Sequence, residues 1–364
     1  MEQMEQLLQQ WRERIADASA RRQPLRIVGG GSKDWYGEPF DATAEVLETT
    51  ACRGIVDYEP TELVITARCG TPLAEIEAAL AERRQMLAFE PPHFGARATV
   101  GGMVAAGLSG PRRQAAGAVR DFVLGAVLMD GRGEVLRFGG QVMKNVAGYD
   151  VSRLLAGSLG VLGLILEVSL KVLPQPAARA TLRFELPQEQ ALEELNRWGG
   201  QPLPITASAW RDGQLTLRLE GAAAAVAGAR VQLGGEALDE AQAERFWRGL
   251  REQDDDFFGA VGSDELWRLA LPTIAPPLAL PGAQLIEWGG GQRWLSGAQD
   301  AAELRELAQR FGGHATLFRP AGTRPPADGV FHPLSPGVAL ITRRLKQELD
   351  PAGLFNPGRV VLEL

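Results

Sequence analysis

The chain has 364 residues, enough for two domains of ordinary size, and it needs no disulfide staples to fold. Its 45% hydrophobic and 23% charged residues describe a globular protein and exclude disorder, coiled coil or collagen for the whole chain. Thirty-eight basic against 45 acidic side chains leave a net charge of −7, and no run of five or six basic residues marks a nucleic-acid footprint. Nucleic acid is therefore not an expected partner.

The first twenty residues read as a helix with Leu7, Leu8, Trp11 and Ile15 on one side. Glu2, Glu5 and Glu13 stand where a signal peptide would carry basic and apolar residues. A short strand over 25–28 ends in Gly29-Gly30-Gly31-Ser32-Lys33, and a second strand over 63–67 leads to Thr71, the expected cap of a helix from Pro72 to about 84. Between Gly95 and Gly163 stand 15 of the chain's 43 glycines, so backbone meets backbone or ligand closely there. Strands over 124–129 and 135–138, joined by Asp130-Gly131-Arg132-Gly133, predict an antiparallel pair. A strand over 162–173 closes the region, with Pro174 and Pro176 as a boundary. Its apolar run is broken by Glu167 and Lys171 and is too short to span a bilayer, so any membrane association is expected to be peripheral.

From about 177 the pattern is strand 181–186, helix 189–198, strands 205–210 and 214–219 about an Arg211-Asp212-Gly213 turn, then an Ala-rich helix. This is a ferredoxin-like half, and a second similar set follows over 267–271, 284–295 (interrupted at Gly289-Gly290-Gly291), 301–311 and 314–319. A terminal helix over 339–349 precedes an irregular tail, Gly353 to Arg359, expected to fold back on the first domain. The acidic cluster Glu252, Asp254, Asp255 and Asp256 reads as a solvated loop, and Cys52 and Cys69 as free thiols of a reducing compartment. The class is α+β rather than doubly wound, because strands and helices do not alternate as βαβ units.

Three glycine segments bear on chemistry. The loop Gly29–Lys33 offers unobstructed N–H groups suited to phosphate oxygens, although it matches neither GxGxxG nor the Walker pattern. Thr99-Val100-Gly101-Gly102 lets backbone lie flat against an extended ligand. Gly157-Ser158-Leu159-Gly160-Val161-Leu162-Gly163 follows Asn145–Tyr149, and close packing alone would also account for it.

These segments, in this order, resemble the flavoproteins of the vanillyl-alcohol oxidase type, or PCMH-type FAD-binding proteins, and within them the FAD-binding E subunits of bacterial glycolate oxidases. The likeness is carried by Ile27–Lys33, 98–113, 118–125, 144–171, Glu287-Trp288-Gly289-Gly290, Arg293-Trp294 and Leu354–Arg359. It implies a PCMH-type FAD-binding domain over 1–173, an inserted ferredoxin-like α+β cap over 174–330, and a helix and tail over 331–364 that return to the FAD domain. It also implies FAD binding through Gly29, Gly30, Gly31, Ser32, Lys33, Thr99, Val100, Gly101, Gly102, Ser109, Arg112, Gly117, Val119, Gly160, Gly163, Ile165 and Asn356. No histidine stands in the loop and neither cysteine falls in the matching segments, so the FAD is expected to be non-covalent. The implied partners are a larger catalytic flavin subunit and an iron–sulfur subunit, together oxidising glycolate, a small 2-hydroxy acid, to glyoxylate. The implied place is the cytoplasm, at most peripherally on the inner face of the membrane.

Catalytic relatives carry a histidine-rich metal site in the cap, whereas here only His93, His314 and His332 occur and none form an HxH pair, so no metal is expected. A second reading is a self-sufficient, D-lactate-like dehydrogenase with His93 or Tyr149 as base and Arg268 or Arg293 holding a carboxylate. A third is a scaffold that keeps the fold without catalysis.

Overall fold

A computed structural model describes residues 2–140, 150–322 and 329–361. The first part of the chain is built on a five-stranded antiparallel sheet in the order Ile55–Glu59, Val64–Arg68, Leu164–Lys171, Val123–Met129, Val135–Gly139. Residues 164–171 alternate little in burial because the strand is covered on both faces, which is why its sequence is a nearly continuous apolar run. The Asp130–Gly133 turn joins an antiparallel pair, as its sequence predicts. Helix Glu2–Arg21 lays Trp11, Ile15 and Ala18 into the same core as Leu73, Ile76 and Leu80 of helix Leu73–Glu82.

Thr71 does not cap that helix. Pro72 occupies the N-cap, while the Thr71 hydroxyl accepts from Gly54 N (2.9 Å), tying the helix approach to the loop before the Ile55–Glu59 strand. The expected cap chemistry appears one element later, where Thr99 Oγ1 accepts from Gly102 N (3.3 Å) at the start of helix Val100–Ala106.

Two similar sets of elements are legible in the second half of the sequence, and the structure joins both into one eight-stranded antiparallel sheet. The seam is the pairing of Ile205–Arg211 with Gln284–Glu287, through Ala209 opposite Glu287 and Trp210 opposite Ile286. On one face of this sheet lie helices Gln188–Gly199, Ala223–Leu233 and Ala301–Arg310. The other face, with Ala207, Ala209, Leu285, Trp294 and Phe318, packs against Tyr36, Ala106, Leu108 and Leu159 of the first unit. Helices Glu240–Glu252 and Asp256–Val261 add Trp247, Leu250, Phe257 and Phe258 to that layer.

The acidic cluster is a joint rather than a solvated loop. Glu252 Oε2 accepts from both His93 N and Phe94 N at 3.0 Å, and Asp255 caps helix Asp256–Val261. A second joint is ionic and buried: Arg112 donates to Glu220, and Arg218 bridges Glu220 (3.1 Å) and Glu90 (2.9 Å).

The tail returns as its sequence implies. Asn356 N donates to Leu25 O (2.9 Å), Asn356 Oδ1 accepts from Ile27 N (2.8 Å), and Phe355 is fully buried. Buried Lys346 fixes the turn by donating to Asp350 (2.6 Å), Val161 O (2.8 Å) and Phe355 O (2.9 Å).

Candidate functional site

A narrow crevice of about 80 Å³ is walled by Gly29–Asp34 on one side and by Thr99, Gly102, Ala105 and Ala106 on the other. Its floor explains the glycines. A Cβ on Gly30 would stand 1.4 Å from Arg97 O, and one on Gly29 would stand 2.6 Å from Thr99 Oγ1, so the loop lies directly on the 97–99 segment. Among the described residues, the N–H groups of Gly30, Gly31 and Ser32 have no hydrogen-bond partner, and Gly31 has the positive φ (70°) of an anion-binding nest. A Cβ on Gly102 would enter the crevice and meet only Thr99 Oγ1, at 3.1 Å. Free N–H groups facing a space that one methyl would invade are what a phosphate pair requires, so these residues fit the diphosphate of a dinucleotide.

Lys33 lines the same crevice, donating to His93 O (3.1 Å) and Ser32 Oγ (3.3 Å); burial pushes its ammonium down to about 8, against the opposing pull of Glu252. Gly101 plays a different part from Gly102, since its Cβ would stand 2.7 Å from Cys69 Cβ. That glycine permits helix packing, and Val100 beside it is fully buried.

At Gly107, past the far end of the Val100–Ala106 helix, lies a second space, a cleft of about 580 Å³, within the usual size of small-molecule sites. One wall is Ser109 with Arg113–Asp121, and the other is the eight-stranded sheet with Arg268, Trp288, Gln292 and His314. Ser109 Oγ accepts from Val119 N (3.2 Å), holding the first wall in shape, and Gly117 lines it. Arg113 lies over the Trp288 ring at 4.4 Å, while Arg268 lies over Phe318 at 5.2 Å and donates to Tyr36 Oη (3.2 Å). Neither guanidinium is paired with a carboxylate among the described residues. Burial, then the neighbouring Arg268, His332 and Arg113, lowers the His314 pKa, so the ring is neutral in a cationic cleft.

The remaining sequence candidates fall into groups. The Arg112 side chain belongs to the buried joint with Glu220 and Glu90, away from the cleft. Gly160 has φ 78° and a Cβ there would strike Asn356 Nδ2 at 2.7 Å, while Asn356 itself donates to Leu159 O (2.6 Å), so the two lock the tail beside the crevice wall. Val119 and Ile165 are buried, and Gly163 lies against Met129 O. His93 Nε2 is hydrogen-bonded to Glu77 Oε2 (3.0 Å), outside both crevice and cleft. Arg293 is spent on backbone, donating to Gly290, Ala275 and Pro276 carbonyls, and burial pushes it down to about 10. Tyr149 lies outside the described residues. No cluster of three metal-ligating side chains occurs among the described residues, although His314 and His332 approach to 6.3 Å between ring centroids.

Two functional candidates are not evident from sequence. Arg113 has no motif of its own. Glu287, known only as part of Glu-Trp-Gly-Gly, is buried, with Oε2 accepting from Trp294 Nε1 (2.6 Å) and Gln292 Nε2 (3.0 Å), and burial pushes it up to about 7 despite those bonds.

Comparison with known proteins agrees with the geometry. Residues 8–139 match the FAD binding domain family. The chain is 51% identical over 352 residues to the glycolate oxidase subunit GlcE of Escherichia coli (strain K12), covering 97% of each. It is 32% identical to the glycolate oxidase subunit GlcD of Bacillus subtilis (strain 168) over 45% of this chain and 35% of that one. Among solved structures, alkyldihydroxyacetonephosphate synthase covers 95% of this chain and 74% of its own at a TM-score of 0.63 and 16% identity, a likeness of fold alone. The chain belongs to the family of the glycolate oxidase subunit GlcE and is a flavoprotein whose cofactor is FAD.

Proposed function

We infer that this chain is the FAD-binding subunit of a multi-subunit glycolate dehydrogenase, working with a catalytic flavin subunit and an iron–sulfur subunit to convert glycolate to glyoxylate. The observation that carries the reading is the identity to GlcE along 97% of both chains, coinciding with a crevice of free N–H groups between two glycine segments. In this reading 1–173 and the returning 331–364 form the FAD-binding unit, and 174–330 the cap whose sheet closes the cleft. Gly29–Lys33, Thr99 and Gly102 hold the diphosphate, Ser109 and Gly117 border the flavin ring, and Gly160 with Asn356 supports the crevice wall. Bound FAD supplies a two-electron acceptor.

The chain's own residues bind and orient it, and the apolar layer of Tyr36, Leu108, Trp294 and Phe318 excludes water from its surroundings. Non-covalent attachment is supported by the lining of the crevice, which holds neither Cys52 nor Cys69; Cys69 packs behind Gly101. Among the described residues no helix is long and apolar enough to cross a membrane; the proposed place is the cytoplasm, at most peripherally on the inner face of the membrane.

The test is to purify the chain alone and with its partner subunits, record the flavin spectrum, and add glycolate without oxygen. FAD released by denaturation, together with bleaching that needs the partners, supports the reading. A chain that carries no FAD overturns it.

A further inference from the structure

Strand Ala178–Glu185 lies second from one edge of the eight-stranded sheet, paired along its length with Gln214–Gly221. Its outer side is covered only in part. The two-residue strand Glu236–Ala237 pairs with Leu182 and Arg183, and the bonding ends where Leu238 N donates to Thr181 O (3.0 Å). One residue on, Asp239 accepts from Gln242 N (2.8 Å) and starts helix Glu240–Glu252, so the chain leaves the edge. Strand alternation turns the N–H and C=O of Arg179 to the same outer side as the Thr181 carbonyl, and among the described residues neither has a partner.

Beside this free edge runs a groove of about 680 Å³, walled by residues 175–181 and by the helix face that carries Glu240, Glu244, Trp247 and Arg248. We propose that the groove docks an extended segment of a partner subunit, which pairs with the edge at Ala178–Ala180 as an added strand and is recognised by side chains of both charge signs.

An open edge is ordinarily blunted by a proline, a bulge or an unpaired charge. Here the register from Ala178 to Glu185 is unbroken, alanines flank Arg179, and the Arg179 side chain is drawn to Glu220 Oε1 (3.1 Å). An extended residue in a sheet takes a block about 3.3 Å long, about 4.8 Å wide and about 10 Å thick, so the groove holds about four residues, as many as 177–180 offer along the edge. Its floor is preorganised, since buried Trp247 donates from Nε1 to Thr181 Oγ1 (3.0 Å), and the Glu90–Arg218–Glu220 joint lies beside it. Around that floor, Glu240 and Glu244 have no cationic partner and Arg230 and Arg248 no anionic one among the described residues. Unspent charges of both signs about an apolar floor complement a peptide with acidic and basic side chains, and they disfavour a ligand of a single sign such as a phosphate ester.

The inference rests on the reading of the chain as a subunit. The test compares the FAD-loaded chain alone with the chain assembled with its partner subunits, by hydrogen exchange read over peptides spanning 175–183. The Arg179 amide should exchange freely in the lone chain and at least about tenfold more slowly in the assembly. Arg179→Pro deletes a donor that the chain itself does not use, at an edge position where proline is tolerated. It should bind FAD like the parent and weaken assembly about fivefold to tenfold, the worth of one backbone hydrogen bond, whereas Arg179→Ala, which keeps the N–H, should stay within about threefold. Arg248→Glu should weaken assembly most at low salt. If Arg179→Pro loses FAD, exchange in the parent chain decides. Assembly that leaves Arg179 exchange unchanged, or Arg179→Pro that keeps FAD and assembles like the parent, overturns the docking site alone. A small molecule found by mass spectrometry in a lone chain whose Arg179 is already protected overturns the peptide occupant. A chain that takes up no partner subunit overturns the subunit reading as well.

Discussion

Gly101 and Gly102 are neighbours in one helix turn, yet a single methyl group on each should have opposite consequences. At Gly102 the new Cβ points into the crevice and touches only the Thr99 hydroxyl at 3.1 Å. Replacing a helical glycine by alanine gains about 1 kcal/mol in backbone entropy, and the tight contact returns part of that, so Gly102→Ala should alter stability by less than about 1 kcal/mol. The crevice is only about 80 Å³, and the methyl occupies the space in front of the free N–H groups. Losing even one charge-assisted hydrogen bond to phosphate costs about 1.5–3 kcal/mol, at least tenfold in FAD affinity.

At Gly101 the methyl meets Cys69 Cβ at 2.7 Å and Cys69 O at 3.0 Å, which forces the helix off the 69–71 segment. That overpacking costs about 1–3 kcal/mol and should weaken FAD binding only as far as it loosens the fold. The assay pairs quenching of FAD fluorescence on reconstitution with thermal unfolding of the apo chain. If Gly102→Ala binds FAD like the parent chain, or loses it only in proportion to its melting temperature, the diphosphate does not lie in this crevice.

Other perturbations follow from single groups. Lys33, with its pKa pushed down to about 8, is charged below that pH and neutral above it, so FAD affinity should fall as pH rises through about 8. Lys33→Met should bind more weakly and lose that dependence, measured by titrating FAD across pH. Glu287 titrates near 7 instead of the ordinary 4.5, so the folded state holds a proton that the unfolded chain has released, and stability falls as pH rises from about 4.5 to about 7. Glu287→Gln should therefore gain about 3 kcal/mol at pH 8 and almost nothing at pH 4, read from urea midpoints. Lys346→Met strands the fully buried Asp350 and the Phe355 carbonyl and should cost about 3–5 kcal/mol, with protease sensitivity appearing first in the tail. Arg112→Met leaves Glu220 with Arg218 and Arg179 and removes one of the links between the two sheets' units, so it should lower stability while leaving FAD affinity within about threefold; greater loss of FAD would place the guanidinium at the cofactor after all.

Where local backbone chemistry dictated the outcome, the sequence was readable. Leu25-Arg26-Ile27-Val28 ending in three glycines could only be a strand running into a tight loop, and strand Leu25–Val28 stops there. The Asp-Gly-Arg-Gly turn fixed its hairpin, and the Asn-Pro-Gly-Arg tail, too irregular to stand alone, returned to the first strand. The short parallel partner Glu45–Glu48 carried no such signal, because four residues of half-exposed strand have no period to read. Helix Glu240–Glu252, by contrast, is written in the sequence as an Asp239–Gln242 capping box followed by an apolar stripe that ends in Trp247 and Leu250.

The cleft was illegible for a different reason. Its first wall lies near residue 113 and its second on strands around 268, 287 and 314, so each group looks like an ordinary surface or core residue in its own neighbourhood. Trp267 and Arg268, like Arg293 and Trp294, are neighbours in sequence that strand alternation separates. Trp267 faces the helices while Arg268 faces the cleft, and Trp294 faces the cleft while Arg293 is fixed by the carbonyls behind it. Once the register is known, period two predicts that Glu287, opposite Ala209 and paired with Gln292, shares the cleft face with Trp294. The carboxyl, its indole donor and the Arg268 guanidinium are therefore placed on one face by one sheet's register. A shift of a single residue between strands 284–287 and 292–296 would turn Glu287 to the helical face and part it from its Trp294 and Gln292 donors while leaving every element in place.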